Sequence, residues 1–132
     1  MKILPAEIQV RFSDLDVMGH VNNSVYLSYF EMTRVHYFKE LLGKNWDWKN
    51  AGVLLVRNEI DYLKPILLHQ KPKILMHLIE IGNKSFQLGY EIYIDDIIHT
   101  RGSSVLVCFN AISHITIPVP QLMKKALENI IK

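Results

Sequence analysis

An α+β domain, one long helix packed on an antiparallel sheet, is what the hydrophobic periodicity of this 132-residue chain predicts. Residues 23–42 place apolar side chains at spacings of three and four, the repeat of a helix. From Gly52 the period shifts to two, and β-rich segments alternate with turn signals. The order is therefore one strand, the long helix, then four or five antiparallel strands.

Each element has its own justification. Residues 7–12 (EIQVRF) alternate as a half-buried strand does, and residues 13–22 form a loop with Gly19 as its special backbone position. In the helix, Tyr26, Phe30, Thr33, Tyr37 and Leu41 form one stripe, and Leu27, Val35, Phe38 and Leu42 widen it. Asn22 or Asn23 is the expected N-cap and Gly43 the stop. So wide a face predicts a helix wrapped by other structure. Strands are expected at 53–62, ended by Lys64-Pro65, at 73–81, closed by Gly82-Asn83, and at 85–94, ended by Asp95-Asp96. A further one at 98–109 is broken by Gly102, and a short one occupies 112–117. Pro118 and Pro120 introduce a helix over about 121–131.

The length fits one domain, residues 1–132, able to bury about two-thirds of its unfolded surface. With 49% apolar and 21% charged residues, a disordered chain is excluded. A net charge of +2 with scattered basic residues offers no stripe for nucleic acid. The single cysteine, Cys108, reads as a buried strand thiol. The histidines lack ligand spacing, so no metal is assigned. The N-terminus does not read as a signal peptide, and no apolar run is long enough to span a membrane, so a cytoplasmic protein is expected.

Chemistry concentrates in RFSDLDVMGHVNNSVYLSYFEMTR, from Arg11 to Arg34. Asp14 and Asp16 end an extended segment, and Asn22 and Asn23 open the helix. A carboxylate thus lies just before a helix N-terminus, whose free N–H groups favour negative charge. Such a layout suits attack on a carbonyl, with a base or nucleophile on one side and oxyanion donors on the other. In an extended chain the two aspartates face one side, and two carboxylates close together raise one pKa, which would suit a base. Glu31 and Arg34 are spaced for an ion pair on the helix.

This segment resembles the motif of hotdog-fold acyl-CoA thioesterases, most closely the 4-hydroxybenzoyl-CoA thioesterase-like family. The match comprises Arg11, Phe12, Asp14, Asp16, Gly19, His20, Val21, Asn22, Asn23, Tyr26, Tyr29, Phe30, Glu31 and Arg34. IDYLKP at 60–65 and IGNKSF at 81–86 are weaker echoes, and the likeness covers roughly residues 6–110. The resemblance implies a hotdog fold, an antiparallel sheet wrapped around one long central helix. It implies homodimers joined edge to edge, with sites at the interface, or dimers of such dimers. It also implies hydrolysis of an acyl-CoA, fatty or aromatic, to the free acid and CoA. Coenzyme A is then part of the substrate, and no cofactor is needed.

Carried over residue by residue, Asp16 is the nucleophile or general base, and the backbone N–H of Asn23 binds the oxyanion. Asp14 holds the loop, and Gly19 and Asn22 shape the approach to the helix. His20 orders the loop and tunes Asp16 rather than forming a dyad with it. Glu31 is a catalytic candidate only by analogy with other hotdog branches, and its structural role is preferred. Asn83, Lys84 and Ser85 are candidate CoA contacts, with Arg57 and Lys64 weaker ones. Two other functions compete: hydrolysis of an acyl group carried on acyl carrier protein, and a non-catalytic module that binds an acyl ligand or a protein partner.

Overall fold

Aromatic side chains decide where the long helix sits. In the computed structural model, which describes residues 2–130, helix α1 spans Val25–Leu42. Tyr26, Tyr29, Phe30, Tyr37 and Phe38 all turn inward and are buried. Leu27, Met32 and Val35 stay exposed, so the expected stripe is covered on one side only. The helix starts two residues later than its periodicity suggests. Asn22 Oδ1 accepts hydrogen bonds from the backbone N–H and hydroxyl of Ser24, a turn that precedes the first helical residue. Gly43, at φ 78°, ends the helix as expected, because that left-handed conformation suits glycine.

One antiparallel sheet curls against the buried side of α1. Its strands are β1 (Ala6–Glu7), β2 (Gly52–Tyr62), β3 (Lys73–Ile81), β4 (Ser85–Ile94), β5 (Ile97–Asn110) and β6 (Ile115–Thr116). Spatially they run β1-β3-β4-β5-β2, with β6 beside the end of β5. Ile74 and Met76 of β3, Leu88, Tyr90 and Ile92 of β4, and Leu106 of β5 line the core. Helix α2 (Gln121–Glu128) adds Met123 and Leu127, one turn apart. Cys108 is fully buried, its Sγ 3.9 Å from Met123 Sδ. Burial pushes its thiol up to about 11.

Other expectations change as well. The strand at 7–12 shrinks to Ala6–Glu7, which pair with Ile74 and Lys73. The Ile8 N–H still reaches Pro72 O at 3.0 Å, but a proline returns no N–H and the ladder stops. Ile8 and Val10 keep alternating inward, and Phe12–Asp14 then tighten into a 3-10 turn. The strand at 112–117 becomes a turn, with His114 at φ 59°, followed by the two residues of β6. The last helix stops at Glu128, and Ile131 lies outside the described residues.

Gly102 does not break its strand. It pairs with Tyr90 on one side and Ile60 on the other. A Cβ there would come within 2.5 Å of the Phe30 ring. Phe30 is fully buried and stacks on Tyr90 at 4.2 Å, with 7° between the planes. Glycine thus lets the helix approach the sheet at this point. Gly102→Val should lower stability by about 1–3 kcal/mol, the usual cost of overpacking, read as a lower urea midpoint with an unchanged slope.

Candidate active site

The loop before α1 is a tight hairpin. Leu15 and Val21 bridge, the Asp16 N–H donates to His20 O at 2.8 Å, and the Gly19 N–H donates to Asp16 O at 3.0 Å. Gly19 supplies the positive φ, 77°, that the reversal needs. The hairpin is held from outside by residues 66–67: the Val21 N–H donates to Ile66 O at 2.8 Å, and His20 bridges Leu67.

Asp14 and Asp16 part company in this geometry. The 3-10 turn carries Asp14 inward to 2% exposure, while Asp16 stays half-buried on the hairpin. The Asp14 carboxylate accepts the Tyr29 hydroxyl at 2.7 Å, the Arg11 N–H at 3.0 Å and the Arg11 guanidinium at 3.2 Å. Its burial raises the pKa, but these bonds from Arg11 and Tyr29 outweigh it and hold the carboxyl below its ordinary range. Asp14 is therefore a buried anchor that holds the loop.

Asp16 is held by one oxygen. Its Oδ1 accepts the backbone N–H groups of Met18 at 2.9 Å and His20 at 3.3 Å. No described residue donates to Oδ2, which leaves that oxygen for a ligand or water. His20 thus acts on Asp16 through its backbone, and no Asp-His side-chain bond is present among the described residues.

At the helix entrance the Asn23 N–H is uncommitted while its neighbours Asn22, Ser24 and Val25 are taken. The N–H of Asn22 goes to Asp14 O, that of Ser24 to Asn22 Oδ1 and that of Val25 to Asn22 O. The Asn23 N–H meets no acceptor among the described residues. The Asn23 carbonyl accepts the Tyr62 hydroxyl at 3.0 Å, and Tyr62 packs edge-on against Tyr26, 4.8 Å away at 86°. Burial raises the pKa of both tyrosines, so both keep their hydroxyl protons.

Asp16, His20, Val21, Asn23, Tyr26, Tyr62, Leu63, Lys64 and Pro65 line one cavity of about 250 Å³. The fold thus brings Asp16, His20 and Asn23 together and keeps Asp14 and Asn22 as supports behind them. Asn83, Lys84 and Ser85 are not in this cavity. Asn83 O accepts the Val119 N–H and Lys84 O the Cys108 N–H, which tie their turn to the segment before α2 and to β5. The Lys84 ammonium lies 3.4 Å from Thr116 Oγ1. Glu31 and Arg34 form no ion pair either. Arg34 turns inward, to the Tyr90 hydroxyl at 3.0 Å and Ser104 Oγ at 3.4 Å. Tyr62, Leu63 and Pro65 join the site from outside the motif at its helix entrance, and Lys64 takes a larger place than the sequence suggests. Their only sequence signal is IDYLKP, and periodicity does not say which strand end meets the helix entrance. Among the described residues no three His, Cys, Asp or Glu side chains group to hold a metal ion, and no helix is long and apolar enough to cross a membrane.

The profile of the thioesterase-like superfamily matches residues 10–127. A Bacillus subtilis protein, YsmA, is 31% identical over 86 residues, 64% of this chain and 56% of its own length. The match therefore spans little more than half of that curated relative. Among solved structures, a thioesterase from Thermus thermophilus, complexed with coenzyme A and Zn, is 30% identical. It aligns over 95% of this chain and 91% of its own, with a TM-score of 0.84. A predicted thioesterase from Bacillus stearothermophilus is 28% identical over 98% of this chain and 97% of its own, with a TM-score of 0.86.

The Asp14 anchor is testable by itself. Tyr29→Phe should cost about 1.5–3 kcal/mol, as expected for a bond to a charged group. Because the folded carboxyl is the stronger acid, its stabilisation is present above the unfolded value of about 3.9 and is lost as pH falls through the folded one. Unfolding midpoints of wild type and Asp14→Asn should differ most near pH 7 and converge in acid.

Proposed function

This chain belongs to the thioesterase-like superfamily, and we propose that it is a thioester hydrolase whose substrate is an acyl-CoA, cleaved at the cavity that holds Asp16 and Asn23. One observation carries this proposal: a carboxylate with a free oxygen and a backbone N–H with no acceptor line the same cavity at the helix entrance. The CoA-bound Thermus relative supports the choice of thioester.

In the base route, Asp16 Oδ2 takes a proton from water, and the hydroxide adds to the thioester carbonyl carbon. The oxyanion that forms accepts the Asn23 N–H, reinforced by the start of α1. Collapse re-forms the carbonyl, breaks the C–S bond and releases CoA as thiolate, which takes up a proton. In the nucleophile route, Oδ2 itself attacks the carbonyl carbon, the C–S bond breaks to release CoA as thiolate, which takes up a proton, and water then hydrolyses the mixed anhydride to the free acid and the Asp16 carboxylate. Both need Oδ1 pinned, so that Oδ2 keeps its aim. Lys64, exposed on the cavity lining, supplies positive charge for a phosphate of CoA in place of Lys84.

The chain works as a homo-oligomer in this proposal. Beyond β5, β2 has no strand on its other edge among the described residues, and Leu54, Leu55 and Val56 are exposed along it. A bare apolar edge of this length favours pairing with a second copy.

Purified protein should release CoA from acyl-CoAs of graded chain length or from an aromatic acyl-CoA, followed with a thiol reagent. Asp16→Asn, still folded by circular dichroism, should lose about 100-fold or more in rate. Equal rates for the two proteins would remove Asp16 from the chemistry. Turnover only on acylated carrier protein would move the substrate assignment there. In a single turnover in ¹⁸O-water, label in Asp16 would select the nucleophile route.

A further inference from the structure

An oxyanion donor stabilises charge only if it already points to where the charge will form. Three hydrogen bonds fix the direction of the Asn23 N–H. Asn22 O accepts the Val25 N–H at 2.9 Å, which holds the peptide that carries the Asn23 N–H. On the next peptide, the Ser24 N–H goes to Asn22 Oδ1 at 3.0 Å, and the Asn23 carbonyl accepts the Tyr62 hydroxyl at 3.0 Å. The first two bonds are local to residues 22–25. Of the three, only the bond from Tyr62 comes from another element, because Tyr62 is the last residue of β2.

The Asn23 carbonyl depends on that partner. The N-cap of α1 is Ser24, and the helical ladder begins with the N-cap carbonyl. The carbonyl of Asn23 lies one residue earlier, so the ladder supplies it no donor. Tyr62 is in turn held by its ring, which meets Tyr26 edge-on, 4.8 Å away at 86°. Tyr26 is buried on the first turn of the same helix. Ring and hydroxyl thus grip the helix entrance at two points three residues apart, and both tyrosines line the cavity that holds Asp16. Burial keeps the Tyr62 hydroxyl protonated, so it stays a donor throughout the range in which carboxylates titrate.

We propose that Tyr62 is a positioning residue for the oxyanion: its hydroxyl, bonded to the Asn23 carbonyl, sets the aim of the Asn23 N–H. The inference rests on hydrolysis at Asp16 and adds to it a part supplied by the sheet. Tyr62 acts through the backbone of Asn23 and need not touch the substrate. Tyr62→Phe isolates this role, since it keeps the ring on Tyr26 and removes one oxygen from a side chain that is already 43% exposed.

The test compares wild type, Tyr62→Phe and Asp16→Asn on decanoyl-CoA, benzoyl-CoA and an acylated carrier protein, with folding checked by circular dichroism. Tyr62→Phe should lose about tenfold in kcat, part of the 100-fold or more that follows removal of a whole oxyanion donor. KM should stay within about twofold, because a misaimed donor is missed only when the oxyanion forms. The acid limb of kcat against pH should not move, since Asp16 keeps its own bonds to Met18 and His20. In the backbone amide NMR spectrum without substrate, the Asn23 and Ser24 signals should shift while those of Met18 and His20 stay. A wild-type kcat in Tyr62→Phe, beside an inactive Asp16→Asn, would overturn the proposal and leave hydrolysis at Asp16 standing. So would a loss confined to KM, a displaced acid limb, or unmoved Asn23 and Ser24 signals. No turnover by the wild type on any of the three thioesters would remove the hydrolysis reading and this role together.

Discussion

The buried carboxylate of Asp14 is the constraint on which the rest of the candidate site depends. It closes a turn with Arg11, receives the Tyr29 hydroxyl from α1, and through its backbone carbonyl receives the N–H of Asn22. Three pieces of chain that must agree, the incoming strand, the hairpin and the helix entrance, thus meet at one residue. A charge buried this deeply is tolerable only because each donor is in place. The position of Asp16, two residues on, follows from that frame and from the left-handed turn at Gly19.

The helix is set by a different and larger contact surface. Phe30 lies flat on Tyr90 and against the backbone of Gly102, so the helix comes closer to the sheet there than any side chain at 102 would allow. The same approach carries Arg34, one turn further along, into the protein, where it meets hydroxyls instead of Glu31. Burial of the helix and burial of that cation are consequences of one packing choice.

Much of this was legible in the residues. The helix and its Gly43 stop, the strands of the meander and the burial of Cys108 all follow from periodicity and turn chemistry. The cluster of Asp16, His20 and Asn23 is local in sequence, so it could be read directly. What escaped was non-local or depended on a single backbone group. Pro72 ends the first strand from across the sheet, and nothing in EIQVRF announces it. Gly102 reads as a break because a glycine in a strand usually marks one, and only the Phe30 ring explains its place. Tyr62 reaches Asn23 from the far end of β2, a contact set by topology. Arg34 could be expected to pair with Glu31 by spacing, but the helix face it occupies points to the sheet.

The lone cysteine has a practical consequence. Its sulfur is shut in beside Met123, and the thiolate that reacts with disulfides and alkylating agents is suppressed by burial. In the native protein it is therefore silent to the reagents that detect released CoA. An unfolded molecule presents that sulfur to solvent, so a rapid stoichiometric burst of colour before any substrate is added would mark the denatured fraction of a preparation. One chromogenic reagent thus separates a variant that has lost chemistry from one that has lost structure.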